Sequence, residues 1–212
     1  MDEALGKKAT SVFRKYEEDT YLRRRRVDHE MPLVTVDDSD PSHSAIRYQK
    51  AGMVFHMLET LIGRDKMNAA LKEYVTRYGW KESHPTIHDL LAILKAQTPD
   101  GSLDWFYEEW FEKITIPDFH LVKAAVRQEG TGFVVEFTAE NVGEGKMPVT
   151  VEAFSGKDDD DPAFKSAGVQ VVIEPGKETK GEIRCPFKPE KVVLDRMYEV
   201  IDFERGNNQV KL

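Results

Sequence analysis

Two segments of the sequence contain residue types that could bind a catalytic zinc ion. In the first, His29-Glu30 begins the H-E-x-x-H pattern, in which two histidines on one helical face bind zinc. Leu33 stands where the second histidine is required, and Pro32 would break the helix that aligns the two histidines. We therefore expect no zinc site at this segment.

The second segment contains two histidines with the spacing of ligands on one helix. His84 and His88 are four residues apart, but Pro85 follows His84 and keeps it outside the helix that contains His88. A role at the surface near a helix start is therefore favoured over metal binding. The other histidines, apart from His29, are scattered along the sequence, and they are His43, His56 and His120.

Motifs for nucleophilic catalysis and phosphate binding are absent from the sequence, which has no G-x-S-x-G, P-loop or G-x-G-x-x-G pattern. Cys185 occupies an inward position of a predicted strand and is expected to be an inert core thiol. The acidic run at residues 158–161 lacks the spacing of a calcium loop, which favours a solvated loop over calcium binding. The arginine run at residues 23–26 surrounds a whole helical turn, which favours a solvated helix end over a nucleic-acid or anionic-lipid contact.

One tyrosine begins a longer pattern. Tyr48 is followed two residues later by Lys50 and then by the small pair Ala51-Gly52, which leads into an apolar helix. Over about residues 42–118, the order and spacing of the residues resemble the C-terminal part of the catalytic domain of M1-family zinc aminopeptidases. The segments that carry the resemblance are residues 48–58, 61–68, 71–74, 104–110 and 116–117.

The resemblance implies a catalytic role for Tyr48, which matches the tyrosine that donates a hydrogen bond to the tetrahedral oxyanion. A phenol stays protonated at neutral pH, so it can donate to developing negative charge. Gly52 lies one turn beyond Tyr48 and Phe55 two turns beyond, and a small residue there would let another element approach the phenol. The alternative is that Tyr48 is a boundary aromatic residue that packs and forms hydrogen bonds.

Two departures from the family pattern accompany the resemblance. The small pair is Ala51-Gly52, whereas the family more often has glycine first. The zinc-binding H-E-x-x-H motif and its downstream glutamate, which precede this tyrosine in the family, are missing. The first helix resembles the one that follows the third zinc ligand. The resemblance therefore implies a fragment with no cofactor of its own, from a full-length parent that binds zinc and cleaves N-terminal residues from peptide substrates.

The isolated chain is expected to be inactive, with the missing N-terminal zinc subdomain as its partner in the parent protein. Two alternatives stay open: a non-catalytic interaction or assembly module derived from the same fold, and the tail of a peptidase fused to a membrane transporter. An H-E-x-x-H motif upstream of Met1 would favour the peptidase, and hydrophobic spans would favour the transporter. The compartment, cytoplasmic or extracytoplasmic, depends on the missing part.

Five helices are predicted to position these residues, because apolar residues recur at a period of 3.6. The first helix carries Val12, Phe13 and Tyr16 at helical spacing, and Gly63 is expected to end the second in a left-handed conformation. The predicted helices are residues 2–27, 46–62 and 65–78, one that starts at Thr86 with a Thr86–Asp89 capping box, and one that starts at Ser102.

After Pro117 the period of the apolar residues changes to two, which predicts six or seven short strands separated by turns. The alternations begin at Val122, Phe133, Val149, Val169 and Ile183, and residues 192–194 and 200–203 are the predicted last strands. The predicted fold class is α+β with segregated domains. Residues 1–117 form the helical C-terminal part of an M1 catalytic domain, and residues 118–212 form an antiparallel Ig-like β-sandwich domain.

Composition excludes several classes of protein. The 212 residues carry a net charge of -8, which argues against nucleic acid as a partner. The single cysteine excludes a scaffold held by intrachain disulfides. No run of about 18 apolar residues is present, so no transmembrane segment is expected in this chain. The sequence is that of a soluble, acidic, globular protein.

Overall fold

The computed structural model describes residues 2–79, 84–157 and 161–212, with only the backbone for residues 2–5. Helices occupy the N-terminal half and antiparallel strands the C-terminal half, which confirms the predicted α+β fold class with segregated parts. By spatial contacts the chain forms two compact units: the helical unit, Asp19–Thr115, and the strand unit, which joins the residues through Glu18 to Ile116–Leu212. The division into domains after residue 117 stays a prediction.

Helices of the described residues include most of those that the apolar period predicts. They are α1 (Asp2–Arg24), α2 (His43–Ala45), α3 (Ala51–Ile62), α4 (Arg64–Tyr78), α5 (Ile87–Lys95) and α6 (Asp104–Tyr107). A first π-turn (Ile46–Lys50), whose backbone bonds span five residues, joins α2 to α3, and a second π-turn (Glu108–Glu112) follows α6. Gly63 ends α3 with a φ of 86°, and the capping box at the start of α5 is present, as predicted. No helix in this part of the chain combines the length and apolar character that crossing a membrane requires.

Helix α1 buries polar rather than apolar side chains. The apolar residues at helical spacing are exposed, with 63% of Val12, 46% of Phe13 and 57% of Tyr16 accessible to solvent. Arg14 and Glu18, one turn apart, are buried instead, because each finds polar partners within the strand unit. The predicted helix is confirmed, but the apolar residues that recur at helical spacing do not form its buried face.

Aromatic side chains form the centre of the helical unit. The helical period predicts an apolar stripe on the last helix, of which Leu103 is half-buried and the other four residues are buried: Phe106, Tyr107, Trp110 and Phe111. Phe111 meets Phe55 of α3 edge-on, with 5.5 Å between the ring centroids. This contact packs α3, which follows the first π-turn, against the second π-turn.

Seven strands of the described residues form two antiparallel sheets, of order β1-β2-β5 and β4-β3-β6-β7. A bulge between Leu121 and Lys123 shifts the pairing of β1 with β2, so that Leu121 is buried and Val122, predicted as inward, is exposed. The Ig-like sandwich topology stays a prediction. The strands are β1 (Phe119–Glu129), β2 (Gly132–Asn141), β3 (Pro148–Ser155), β4 (Lys165–Val172), β5 (Glu178–Cys185), β6 (Lys191–Leu194) and β7 (Gln209–Lys211).

The prediction of a strand at residues 200–203 is wrong. Val200 and Ile201 are buried, as their apolar character suggests, but the last strand is β7. The carboxylate of Asp195 accepts hydrogen bonds from the backbone amides of Glu199, at 2.8 Å, and Val200, at 3.0 Å. A side chain that takes up backbone donors in this way competes with a sheet ladder.

A buried ionic cluster lies inside the strand unit, and we call Glu18, Asp195, Asp202 and Arg205 the Arg205 cluster. The guanidinium of Arg205 lies 2.9 Å from Glu18 Oε2 and 3.0 Å from Asp195 Oδ2. The amide of Asp202 donates to Glu18 Oε1 at 2.9 Å, and Asp202 Oδ1 accepts from the amide of Phe119 at 3.0 Å. Burial raises the pKa of Asp202 to about 7, although Arg205 opposes this effect. The cluster ties α1 to the residues around β1 and β7.

Candidate active site

Tyr48 lies in the middle of the first π-turn. The amide of Ala51 closes this turn by donating to the carbonyl of Ile46, five residues earlier, and also faces the carbonyl of Tyr48. Ile46 and Lys50, at the two ends of the turn, are buried, whereas 68% of Tyr48 is exposed. The turn therefore presents the phenol to solvent from a backbone whose two ends are anchored. Irregular turns of this kind inside helices are frequent at functional sites.

The Tyr48 side chain lies next to the guanidinium of Arg47, and there is open space beside Gly52, one turn further along the helix. The guanidinium of Arg47 lies 5.8 Å from the centroid of the Tyr48 ring, and Arg47 forms an ion pair with Asp38. Gly52 is exposed, and a Cβ atom there would meet no atom within 4 Å. Phe55, predicted to share a face with Tyr48, is half-buried in the aromatic core. Open surface therefore extends from the phenol towards Gly52.

Two residues after Tyr48, Lys50 belongs to a buried polar group, which we call the Lys50 cluster (Tyr21, Arg25, Glu30 and Lys50). Lys50 Nζ lies 3.2 Å from Glu30 Oε1, and only 1% of each side chain is exposed. Glu30 also accepts from the Tyr21 hydroxyl at 2.7 Å and from Arg25 Nε at 3.2 Å. The Lys50 ammonium lies 5.5 Å from the centroid of the Tyr21 ring. The carboxylate of Glu30 therefore meets three donors.

Electrostatics within the Lys50 cluster follow from its burial. Burial lowers the pKa of Lys50, and the adjacent Glu30 carboxylate opposes that decrease. Burial raises the pKa of Tyr21, and Glu30 raises it further. Tyr21 therefore stays protonated and keeps donating to Glu30. The buried carboxylate of Glu30 thus has hydrogen-bond donors from Tyr21, Arg25 and Lys50.

His29 and His43 attach the neighbouring loop to the same region. His29 Nδ1 lies 2.6 Å from Asp40 Oδ2, and His43 Nδ1 lies 3.1 Å from Asp37 Oδ1. The Nε2 of His43 donates to the main-chain carbonyl of His29 at 3.1 Å. Hydrogen bonds from Ser42, and to a smaller extent from His29, lower the pKa of Asp40. These contacts hold the segment that contains Glu30 against the start of α2.

The other histidines do not join this site. His120 lies 3.0 Å from Glu140 within the strand unit, and His56 is half-buried on α3. His84 is exposed before α5, and His88 lies on α5, so the two do not share a helix. Within residues 2–79, 84–157 and 161–212, no three or more His, Cys, Asp and Glu side chains form a group that could hold a metal ion.

The structure also describes the lone cysteine, part of the acidic run and the arginine run, for which the sequence predicts no functional role. Cys185 is buried on β5, as predicted, and burial raises its pKa, which disfavours the reactive thiolate. Of the acidic run, residues 158–160 lie outside the described residues, and Asp161 accepts from two nearby backbone amides. The arginine run is only partly a solvated helix end, because Arg25 turns inward to Glu30.

Sequence reasoning missed Lys50 and Glu30 as a buried pair. A signal for Lys50 exists, because it precedes the buried residues of α3 by three, four, seven and eight positions. Those residues are Met53, Val54, Met57 and Leu58. A lysine on the buried stripe of a helix is expected to have a buried partner. The position of Glu30 carries no comparable periodic signal, since it lies in irregular chain.

Comparison with known families identifies a peptidase domain in the chain. The peptidase family M1 domain matches residues 3–110, just over half of the 212 residues. The match includes Tyr48 and all of the Lys50 cluster, and it ends before the first strand. The helical unit is therefore part of a peptidase domain. The chain belongs to peptidase family M1, a metallopeptidase family.

Other comparisons contribute less. A solved structure of β-glucosidase 3B from Thermotoga neapolitana in complex with glycerol is 15% identical to the chain, with a TM-score of 0.28. The alignment covers 51% of this chain and 20% of the β-glucosidase chain, and a similarity of this size supports no functional argument. No curated protein matches the chain.

Proposed function

We propose that the helical unit is the C-terminal part of an M1 catalytic domain and supplies Tyr48 as an oxyanion donor for the removal of N-terminal residues from peptides. The observation that carries this proposal is the exposed phenol of Tyr48, on a π-turn with buried ends, inside the residues that match the family. A phenol O–H donates to the carbonyl oxygen as negative charge develops on it. One such donor typically contributes about 10²–10³ in turnover.

Zinc in such a peptidase would polarise the scissile carbonyl and activate water. The described residues form no group that could hold a metal, so they do not fit a zinc site. We therefore place the ligands, the general base and the acidic residues that bind the substrate N-terminus on residues outside this sequence. On this proposal the chain alone is a fragment without hydrolytic activity.

The experiment that tests the role of Tyr48 uses the complete coding sequence that contains these residues. Tyr48→Phe should lower kcat by about 10²–10³ on an aminoacyl-coumarin substrate and leave KM nearly unchanged, because the lost bond forms as charge develops. Tyr16→Phe is the matched control, since Tyr16 is also exposed, at 57%, and lies on α1. Full turnover in Tyr48→Phe would return Tyr48 to a packing role.

A second experiment uses the 212-residue chain itself. Elemental analysis is expected to find less than one zinc per chain, and the chain is expected to leave the same substrate intact. A tightly bound zinc in a one-to-one ratio, together with hydrolysis, would contradict the proposal that the ligands lie elsewhere.

A non-catalytic interaction module is the second candidate function. The observation that favours it is the exposed apolar side of α1, with Val12, Phe13 and Tyr16. A complete coding sequence without H-E-x-x-H, and with turnover insensitive to Tyr48→Phe or absent, would support this candidate. Hydrophobic spans of transmembrane length in the same coding sequence would support the fusion to a membrane transporter.

A further inference from the structure

The first π-turn and the helical residues directly ahead of it are attached to one two-residue segment. At its C-terminal end, Lys50 Nζ lies 3.2 Å from the carboxylate of Glu30. Ahead of its N-terminal end, His43 begins the helical segment that runs without interruption into the turn, and its Nε2 donates to the carbonyl of His29 at 3.1 Å. His29 and Glu30 are consecutive residues, so the helical segment that carries Tyr48 contacts the same short stretch of chain before and after Tyr48.

Stability alone does not account for a buried ion pair at Lys50. Its position on the buried side of α3 suits an apolar residue, and replacing a buried ion pair by apolar side chains is often neutral or stabilising. An ion pair, unlike an apolar contact, has a defined direction and distance, and Glu30 is itself oriented by Tyr21 and Arg25. The contact therefore specifies where the end of the turn lies.

We propose that Lys50 and Glu30 are positioning residues for Tyr48, which fix the π-turn so that the phenol is held ready to donate to the substrate carbonyl. This inference rests on the proposed function, because it assigns the two residues a role that acts through Tyr48. A misplacement of a catalytic group by about 1 Å can cost about 10²-fold in rate, so a contact far from the reacting atoms can matter.

Lys50→Met is the informative substitution. It removes the cation and keeps an apolar side chain of similar length on the buried side of α3. Glu30 keeps Arg25 and the Tyr21 hydroxyl, so its charge is not left without partners. Arg64→Met is the matched control, because it removes a cation that pairs with Glu59 at 2.9 Å on the surface at the other end of α3.

The first measurement is amide hydrogen exchange in the 212-residue chain. The amide of Ala51, which closes the π-turn, should exchange at least tenfold faster in Lys50→Met, while amides of α4 keep their rates. Arg64→Met should leave the Ala51 amide unchanged. If Ala51 exchange stays the same, or rises in parallel with α4, the positioning inference is overturned. If Lys50→Met does not fold, the double variant Lys50→Met with Glu30→Gln, which removes both charges, takes its place.

The second measurement compares two backgrounds of the complete peptidase. Lys50→Met should lower kcat at least tenfold at unchanged KM when Tyr48 is present, and less than twofold when Tyr48→Phe is already in place. An equal loss in both backgrounds would show that Lys50 does not act through Tyr48, and would leave the proposed function intact. If Tyr48→Phe alone retains full activity, the proposed function fails, whereas Ala51 exchange still reports whether the pair holds the turn.

Discussion

Replacing Asp202 by asparagine should remove much of the pH dependence of the stability of the strand unit. The pKa of Asp202 is about 7 in the folded chain, against 3.8 for an ordinary aspartate. A raised pKa means that the folded state binds the proton more tightly than the unfolded state. The stabilisation is therefore fully present below about pH 4 and is lost as the pH rises to about 7.

The size of the effect follows from the same two values. One pKa unit corresponds to about 1.4 kcal/mol, so the free energy of unfolding should fall by about 4 kcal/mol between pH 4 and pH 7. Burial is the main cause, and the Glu18 carboxylate adds to it, while Arg205 and the amides of Asn208 and Phe119 oppose it. Burial also raises the pKa values of Glu18 and Asp195, which change stability in the same direction.

Asp202→Asn fits the site because one acceptor is kept. Oδ1 of residue 202 still accepts from the amide of Phe119. Oδ1 of Asn208 is buried and has no hydrogen-bond partner among the described residues, so Asn208 can turn its amide over and accept from the new NH₂ group. The variant should therefore match the parent chain at pH 4 and exceed its stability by up to about 4 kcal/mol at pH 8.

The lone cysteine supplies an assay that is specific to the strand unit. Cys185 is only 3% exposed, so its reaction with 4,4′-dithiodipyridine across a urea series reports opening of the unit around it. All three tryptophans lie between residues 19 and 115, so their fluorescence reports the helical unit separately. Glu136→Gln, at an exposed ion pair with Arg127 in the strand unit, is the control and should leave the pH dependence unchanged. A stability that rises between pH 4 and pH 7, or a slope unaffected by Asp202→Asn, would refute the reasoning.

Two further predictions concern exposed residues, Gly52 and Phe13. Gly52→Ala should raise the free energy of unfolding of the helical unit by about 0.5–1 kcal/mol in tryptophan-monitored urea unfolding, because a Cβ meets no atom there and glycine weakens a helix interior. A loss of stability would show that the surface beside Tyr48 is not open. Phe13→Lys should change the stability of the strand unit by less than about 0.5 kcal/mol in the Cys185 assay, because Phe13 is 46% exposed. A loss of about 3 kcal/mol or more would place Phe13 in a core instead.

The periodic parts of the fold could be predicted from the sequence. A period of 3.6 identifies α3 and the aromatic stripe of Phe106 and Trp110, and a period of two identifies β2 and β3, because burial of one face produces those repeats. The loop at Val200 could not be predicted, since apolar residues there are buried without forming a strand. The carboxylate of Asp195 accepts a hydrogen bond from the amide of Val200, which competes with a sheet ladder, and no local sequence pattern indicates this contact.

In the candidate site too, residues within a sequence pattern could be predicted and residues in irregular chain could not. Tyr48 is predicted from a motif and is exposed, and its catalytic role stays a prediction. Gly52 was predicted to leave room beside it, and the open space at its Cβ position agrees. The residues beneath the site were missed, because Glu30 lies in irregular chain and meets Lys50 only after the loop between them has folded back.

Each unit contains a buried glutamate that holds a distant cation, Glu18 with Arg205 in the strand unit and Glu30 with Lys50 in the helical unit. Such pairs add little net stability, because removing the charges from water offsets most of their attraction. Removing one partner, however, is costly when the other keeps no compensation, so each pair excludes alternative arrangements of the segments that it joins. In the helical unit the segment so joined is the π-turn that carries Tyr48. A lysine at a position where an apolar side chain would pack fits the proposed positioning role, which concerns the orientation of that turn rather than the stability of the unit.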